Sequence, residues 1–136
     1  MSGERVKEFQ IQLSLTFYTD HPNVESIASA ISAVPSMIRL KGEKDPERGI
    51  PVHSYVVYES TALEWGAPLE DHWADLENRL EFSWSELRSL AKISDAVVLL
   101  VLVDTSDGWP PTYLSTHIIN RVLELSAEIE VRGLVD

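Results

Sequence analysis

The sequence predicts a single α+β domain in which an antiparallel sheet of about five strands is packed by helices. Three patterns carry this prediction. Residues 9–18 alternate apolar and polar side chains, as a strand with one buried face does. Residues 96–103 are continuously apolar and rich in valine, which predicts a central strand covered on both faces. Apolar residues then mark one stripe of an amphipathic helix: Leu69, Trp73, Leu76 and Leu80.

Turn and helix signals predict the other elements of the first half. Turn residues at 20–23 lead into a helix that buries Val24, Ile27 and Ile31 and ends before Pro35. Residues 36–40 and 51–60 favour the second and third strands, because valine, isoleucine and tyrosine suit a pleated surface. The charged loop at residues 41–49 contains two glycines and a proline, and we expect it to be the most mobile segment.

The second half adds two further helices and two strands. Ser83 and Glu86 have the spacing of a capping box, which predicts a short helix through Ile93. A last helix is predicted over residues 113–126 and a closing strand over residues 128–135. The resulting order, β-α-β-β-α-α-β-α-β, resembles a ferredoxin-like split βαβ sandwich with an added helix and edge strand. We expect one domain over residues 1–136, with residues 1–7 as a flexible lead.

Composition narrows the class of protein. The 136 residues include 22 acidic and 11 basic side chains, and the net charge of −11 disfavours binding to nucleic acid or to an anionic membrane. No apolar run reaches spanning length, so no membrane segment is predicted. The absence of cysteine excludes disulfides, thiolate metal sites and a cysteine nucleophile, and it favours a cytoplasmic location.

Catalytic patterns are absent from the sequence, and we predict a protein that is not an enzyme and needs no cofactor. The four histidines fall in four different elements, and none has the one-turn spacing of a helical metal site. His72 and Asp75 lie one turn apart and would suit general-base chemistry, but a solvated helical face explains them equally well. A hydrolase that uses His72 or His53 stays a third hypothesis.

Loop aromatic residues next to a charged loop give the candidate partner-binding residues. They are Lys41, Gly42, Trp65, Trp84 and Trp109. Large rings near loops can anchor a protein partner. The alternative is that the tryptophans close the ends of the core, because such rings are mostly buried.

Several features occur in a characteristic order along nearly the whole chain. They are the first alternating strand, the turn His21-Pro22-Asn23 with the helix that follows, Pro35 followed by Lys41-Gly42, the segment Leu69-Glu70-Asp71-His72-Trp73, and the apolar strand at 96–103. This order resembles that of a bacterial family, domain of unknown function 4279. Members usually carry a tryptophan in the strand after the Lys-Gly loop, where this sequence has His53 and Tyr55. The resemblance implies one intact domain and no particular reaction.

Two functional hypotheses follow from these observations. The first is a non-enzymatic binding protein, such as an immunity-type protein that masks a basic partner with its acidic surface. The alternative is a small-ligand-sensing regulatory module, a class that is often dimeric. The uncharged polar stripe Gln10, Gln12, Ser14 and Thr16 is where we would first expect a second copy of the chain to bind.

Overall fold

The computed structural model describes residues 10–43, 53–60, 63, 66–110 and 112–134. Five strands form one sheet: β1 (Ile11–Thr19), β2 (Met37–Arg39), β3 (Ser54–Glu59), β4 (Ala96–Asp104) and β5 (Glu128–Leu134). The helices are α1 (Val24–Ala30), α2 (Leu69–Leu80), α3 (Trp84–Lys92) and α4 (Thr116–Leu123), with a 3₁₀ turn (Glu81–Ser83) between α2 and α3. The α+β class and the order of elements agree with the prediction. The predicted flexible lead at residues 1–7 and most of the predicted mobile loop, residues 44–49, lie outside the described residues.

The sheet is mixed rather than wholly antiparallel. Its strand order is β2-β3-β1-β4-β5, and β1 is antiparallel to both β3 and β4. The last strand, β5, instead runs parallel to β4. The reason is the connection: α4 carries the chain back across the sheet between β4 and β5, as a parallel pair requires.

The four described helices pack on one and the same face of the sheet. Alternate residues of β1 and β4 turn into the core on that face, where they are almost completely buried: Ile11, Leu13, Leu15, Phe17, Val97, Leu99, Val101 and Val103. The expectation that β4 is covered on both faces is wrong. Val98, Leu100 and Leu102 are half-buried on the open face of the sheet, because no helix among the described residues covers them.

The capping of α3 and the start of α4 differ from the predictions, whereas α3 begins directly after Ser83 as predicted. Ser83 does not cap α3 with its side chain, because α3 continues from the 3₁₀ turn. The Ser83 hydroxyl instead accepts a 2.9 Å hydrogen bond from the Ala33 amide. At α4 the Ser115 side chain accepts from the Ile118 amide, so the helix begins at Thr116 and not at Tyr113.

Candidate functional site

Lys41 and Gly42 lie in an exposed turn directly after β2. The backbone amide of Lys41 donates a 2.8 Å hydrogen bond to the Ser54 hydroxyl, which fixes the turn beside the start of β3. Gly42 has a φ of +80°, a conformation that favours glycine. The turn is therefore held by the sheet and presents the Lys41 side chain to solvent.

Trp109 lies at the opposite end of the sheet. Its ring packs over Gly133 of β5, which pairs with Val103, and 62% of the residue remains exposed. Lys41 is next to the Thr19 end of β1, whereas Val103 pairs with Ile11 at the other end. Nine residues of strand separate the two ends by about 27 Å. Lys41 and Trp109 are thus not parts of one small site.

Trp84 is buried, so the prediction that it anchors a partner is corrected. Only 6% of the residue is exposed, because Trp84 starts α3 on its sheet-facing side. The guanidinium of Arg121 covers the ring at 4.1 Å from its centroid. Trp65, the remaining predicted anchor, lies outside the described residues.

Next to Lys41 the structure brings together a polar pair and two aromatic rings. His53 Nδ1 lies 2.9 Å from the Asp20 carboxylate, and the rings of Tyr18 and Tyr55 are 5.9 Å apart on the open face. The hydrogen bond from His53 is the main reason why the pKa of Asp20 is lowered, and desolvation opposes it. With His53 more than half exposed, this pair stands in water and not in a pocket.

His72 is not on a solvated face, contrary to the surface interpretation of its spacing with Asp75. Only 2% of it is exposed, since it lies in the buried stripe of α2 between Leu69 and Trp73. Burial lowers the pKa of His72, and a hydrogen bond to the Ala67 carbonyl partly offsets this. Its Nδ1 has no partner among the described residues. A buried neutral imidazole is poorly placed for chemistry on a solvent-borne substrate.

The sequence did not predict a polar network that the structure places between α2 and α4. The Glu77 carboxylate lies 2.8 Å from His117 Nε2 and accepts a 3.2 Å hydrogen bond from Arg121 Nε. Arg121 Nη1 also donates a 3.1 Å hydrogen bond to Glu124. His117 and Arg121 stand one helical turn apart, a spacing visible in the sequence. Their partner Glu77 is about forty residues away and could not be found from spacing. The geometry is that of a clamp between two helices.

An acidic cleft lies between α2 and the segment that precedes it. It has a volume of about 610 Å³ and is lined by Leu63, Gly66, Ala67, Pro68, Asp71, Ala74, Asp75 and Asn78. Two carboxylates thus stand next to small apolar side chains. Within the described ranges, no group of three or more histidine, aspartate or glutamate side chains is arranged to hold a metal ion. None of the described helices is long and apolar enough to cross a membrane.

These features define an α+β protein with a one-sided mixed sheet and an acidic cleft on its helical layer. The model of one family, the domain of unknown function DUF4279, matches residues 8–135, and the chain belongs to that family. The resemblance drawn from the sequence is thereby confirmed. No curated protein and no solved structure matches the chain significantly.

Proposed function

We propose that the chain is a non-enzymatic binding protein whose α2 surface receives a basic segment of a protein partner. The observation that carries the proposal is the acidic cleft beside α2, in which Asp71 and Asp75 stand next to Ala67, Pro68 and Ala74. An immunity-type protein that masks a basic partner would work in this way. We place it in the cytoplasm, which the absence of cysteine favours.

The charge of α2 supports this choice of partner. The helix and the 3₁₀ turn after it carry five carboxylates and one arginine: Glu70, Asp71, Asp75, Glu77, Glu81 and Arg79. Arg79 is engaged with Asp75 at 3.5 Å, and Glu77 with Arg121 of α4. Glu70, Asp71 and Glu81 are exposed, so the surface attracts cations and repels nucleic acid.

The lining of the cleft also fits the shape of a basic side chain. A lysine or arginine side chain has an aliphatic stem and a charged head. In the cleft, its stem would lie on Ala67, Pro68 and Ala74 while its head meets Asp71 or Asp75. A cleft that is both apolar and acidic therefore suits a basic side chain better than it suits an anionic metabolite.

The strand order supports a finer description of the fold. We interpret β2-β3-β1-β4 as a ferredoxin-like arrangement, to which α4 and β5 are added. Both β1-α1-β2 and β3-α2-α3-β4 are crossovers that leave room for one strand between their ends, as a split βαβ unit does. Folds of this kind serve many functions, so the proposal rests on the cleft and not on the fold.

A peptide titration tests the proposed function. We would follow the backbone amides of the ¹⁵N-labelled full chain by NMR while hexalysine is added at low salt. The expected shifts concentrate on residues 66–81. Asp71→Lys is expected to raise the dissociation constant about fivefold or more, because a charge pair worth about 1 kcal/mol becomes a repulsion.

Glu128→Lys is the matched control, since it makes the same charge change on the open face of the sheet. The control is expected to weaken hexalysine binding less than twofold. Equal weakening by Glu128→Lys and Asp71→Lys would show that the peptide senses only net charge, and it would overturn the proposed cleft. Hexaglutamate is expected to produce no shifts at residues 66–81.

The alternative, a small-ligand-sensing regulatory module, is favoured by one observation. Tyr18, Tyr55, Asp20 and His53 place two rings beside a polar pair at one end of the sheet. A thermal-shift screen with metabolites separates the two functions, because a specific ligand stabilises the folded state by mass action. Under this alternative, a stabilising metabolite loses its effect in Tyr18→Ala and keeps it in Asp71→Lys.

A further inference from the structure

The outer edge of β5 has free backbone groups at alternate residues. The Leu134 carbonyl accepts a 2.9 Å hydrogen bond from the Thr105 amide, so the polar groups of Leu134 face β4. Because backbone groups alternate sides along a strand, those of Ile129, Val131 and Gly133 point away from the sheet. Within the described part of the chain, β4 is the one strand that pairs with β5.

The side chains of β5 are complementary to a second copy of the same strand. Glu130 and Arg132 lie on the open face, 2.9 Å apart and both exposed. If two β5 strands pair antiparallel about Val131, each Glu130 stands opposite the partner's Arg132. Opposite charges stabilise directly facing positions of a sheet, and like charges destabilise them.

This charge pattern selects one register. Pairing about Ile129 would place Glu130 opposite Glu128 of the other copy, where two carboxylates repel. Pairing about Glu128, Glu130 or Arg132 would place that residue opposite its own copy, so two like charges would face each other across the pair. Pairing about Val131 avoids both, and it joins three outward-facing residues of each strand by hydrogen bonds.

Exposed apolar side chains flank the same edge on the helical side. His117 and Arg121 of α4 turn toward Glu77 of α2, and α2 packs on β1. At 100° per residue, Ile119 and Leu123 lie about 200° around α4 from those two, on the flank nearest β5. Ile119, Leu123 and Val131 are 44%, 68% and 46% exposed. Monomers rarely leave such side chains uncovered next to an open strand edge.

We propose that two copies of this chain associate through antiparallel β5–β5 pairing about Val131, which forms a continuous ten-stranded sheet. The twofold axis passes midway between the two Val131 residues, perpendicular to the sheet. It places both α4 helices on the same side, where Ile119 and Leu123 meet their equivalents. This differs from the neutral stripe of β1, which lies in the middle of the open face, where Thr16 is already buried.

Charge exchange tests the pairing. In Glu130→Arg, two arginines of each copy face two arginines of the other, and in Arg132→Glu, glutamates face glutamates. By light scattering coupled to size exclusion, we expect twice 15.3 kDa for the wild type and 15.3 kDa for each variant. An equimolar mixture of the two variants restores every opposite-charge pair, so its mass is expected to double again.

Val131→Pro tests the backbone part independently. Proline removes an amide that β5 does not use toward β4, and edge strands tolerate it there. Val131→Pro is expected to be monomeric, with amide spectra for residues 10–43 that match the wild type. Leu100→Lys, on the open face, is expected to stay dimeric.

A wild type of 15.3 kDa at all concentrations would overturn the proposal. So would a mixture of Glu130→Arg and Arg132→Glu that stays monomeric, or a Leu100→Lys variant that is monomeric while Val131→Pro is dimeric. The last result would assign the contact to the open face instead.

Discussion

The guanidinium of Arg121 lies 4.1 Å from the centroid of the Trp84 ring, and the same side chain bonds the Glu77 carboxylate. Arg121 therefore connects α4 to both α2 and α3. Its side chain is only 24% exposed, and a cation over an aromatic face is worth more when it is partly desolvated. The contact explains how a tryptophan at the end of a surface helix becomes part of the protein interior.

Arg121→Ala is expected to lower the free energy of unfolding by about 1 to 2 kcal/mol, through loss of the ring contact and of the Glu77 pair. Urea denaturation measures the change. Arg88→Ala, at an exposed arginine of α3, is the control and should change stability by less than about 0.5 kcal/mol. Equal losses in the two variants would mean that the Trp84 contact contributes nothing.

Periodicity predicted the parts of the fold that depend on one face of one element. The alternation in β1 and the stripe of α2 correspond to the observed burial. His72 shows the limit of residue type as a guide: it follows Leu69 by three residues and precedes Leu76 by four, so helical geometry places it in the buried stripe. Its polarity suggested the surface, and packing between α2 and the sheet decided otherwise.

Contacts between distant segments could not be predicted from the sequence. Lys41 and Trp109 look alike as loop residues, yet β1 and β4 hold them at opposite ends of the sheet. The parallel direction of β5 depends on how α4 crosses the sheet, which alternation in residues 128–135 does not encode. The Glu77 clamp needs α2 and α4 to be neighbours, and only the His117–Arg121 spacing was visible beforehand.

The buried imidazole of His72 predicts a stability that falls in mild acid. Its pKa is lowered by burial, so the unfolded chain takes up a proton near pH 6.5 while the folded chain resists it. The contribution of His72 to the free energy of unfolding is therefore complete above pH 6.5, and it is lost as the pH falls toward the pKa of His72 in the folded state. The slope cannot exceed about 1.4 kcal/mol per pH unit for one proton.

His72→Leu should remove this dependence. We would measure urea denaturation from pH 8 to pH 5 and take the difference between wild type and variant, so that the carboxylates common to both cancel. At pH 8 the difference in free energy of unfolding measures the change in packing. The change of this difference between pH 8 and pH 5 measures the protonation of His72. A difference that stays constant over the range would contradict a buried neutral His72.

The buried phenol of Tyr58 predicts that the protein loses stability at alkaline pH. Burial, together with the negative charge of Glu86, raises the pKa of Tyr58 to about 12. The unfolded chain loses the phenolic proton near pH 10, so the contribution to stability is present below pH 10 and is lost as the pH rises toward 12. The hydroxyl donates to the Ala33 carbonyl at 3.4 Å, and the ring contacts Phe17 edge-on.

Tyr58→Phe keeps the ring and removes the ionisable group. Below pH 9 it should cost about 0.5 to 1 kcal/mol, at the low end for a hydrogen bond, because the contact to Ala33 is long. Above pH 10 the wild type should lose stability faster than the variant, until the variant is the more stable of the two. Parallel stability curves above pH 10 would show that Tyr58 ionises freely in the folded state.

The contact between Asp20 and His53 predicts that the pKa of the Asp20 carboxyl group depends on the His53 side chain. His53→Ala should raise the pKa of Asp20 toward its ordinary value, because the hydrogen bond from His53 is the largest cause of the lowering. NMR of the ¹³C-labelled carboxyl group follows the titration directly. Lys41→Met is the control, since Lys41 acts on Asp20 only through its charge and should produce the smaller rise. If Lys41→Met moves the Asp20 pKa as far as His53→Ala does, the charge of the turn after β2 governs this end of the sheet, and the 2.9 Å contact with His53 does not.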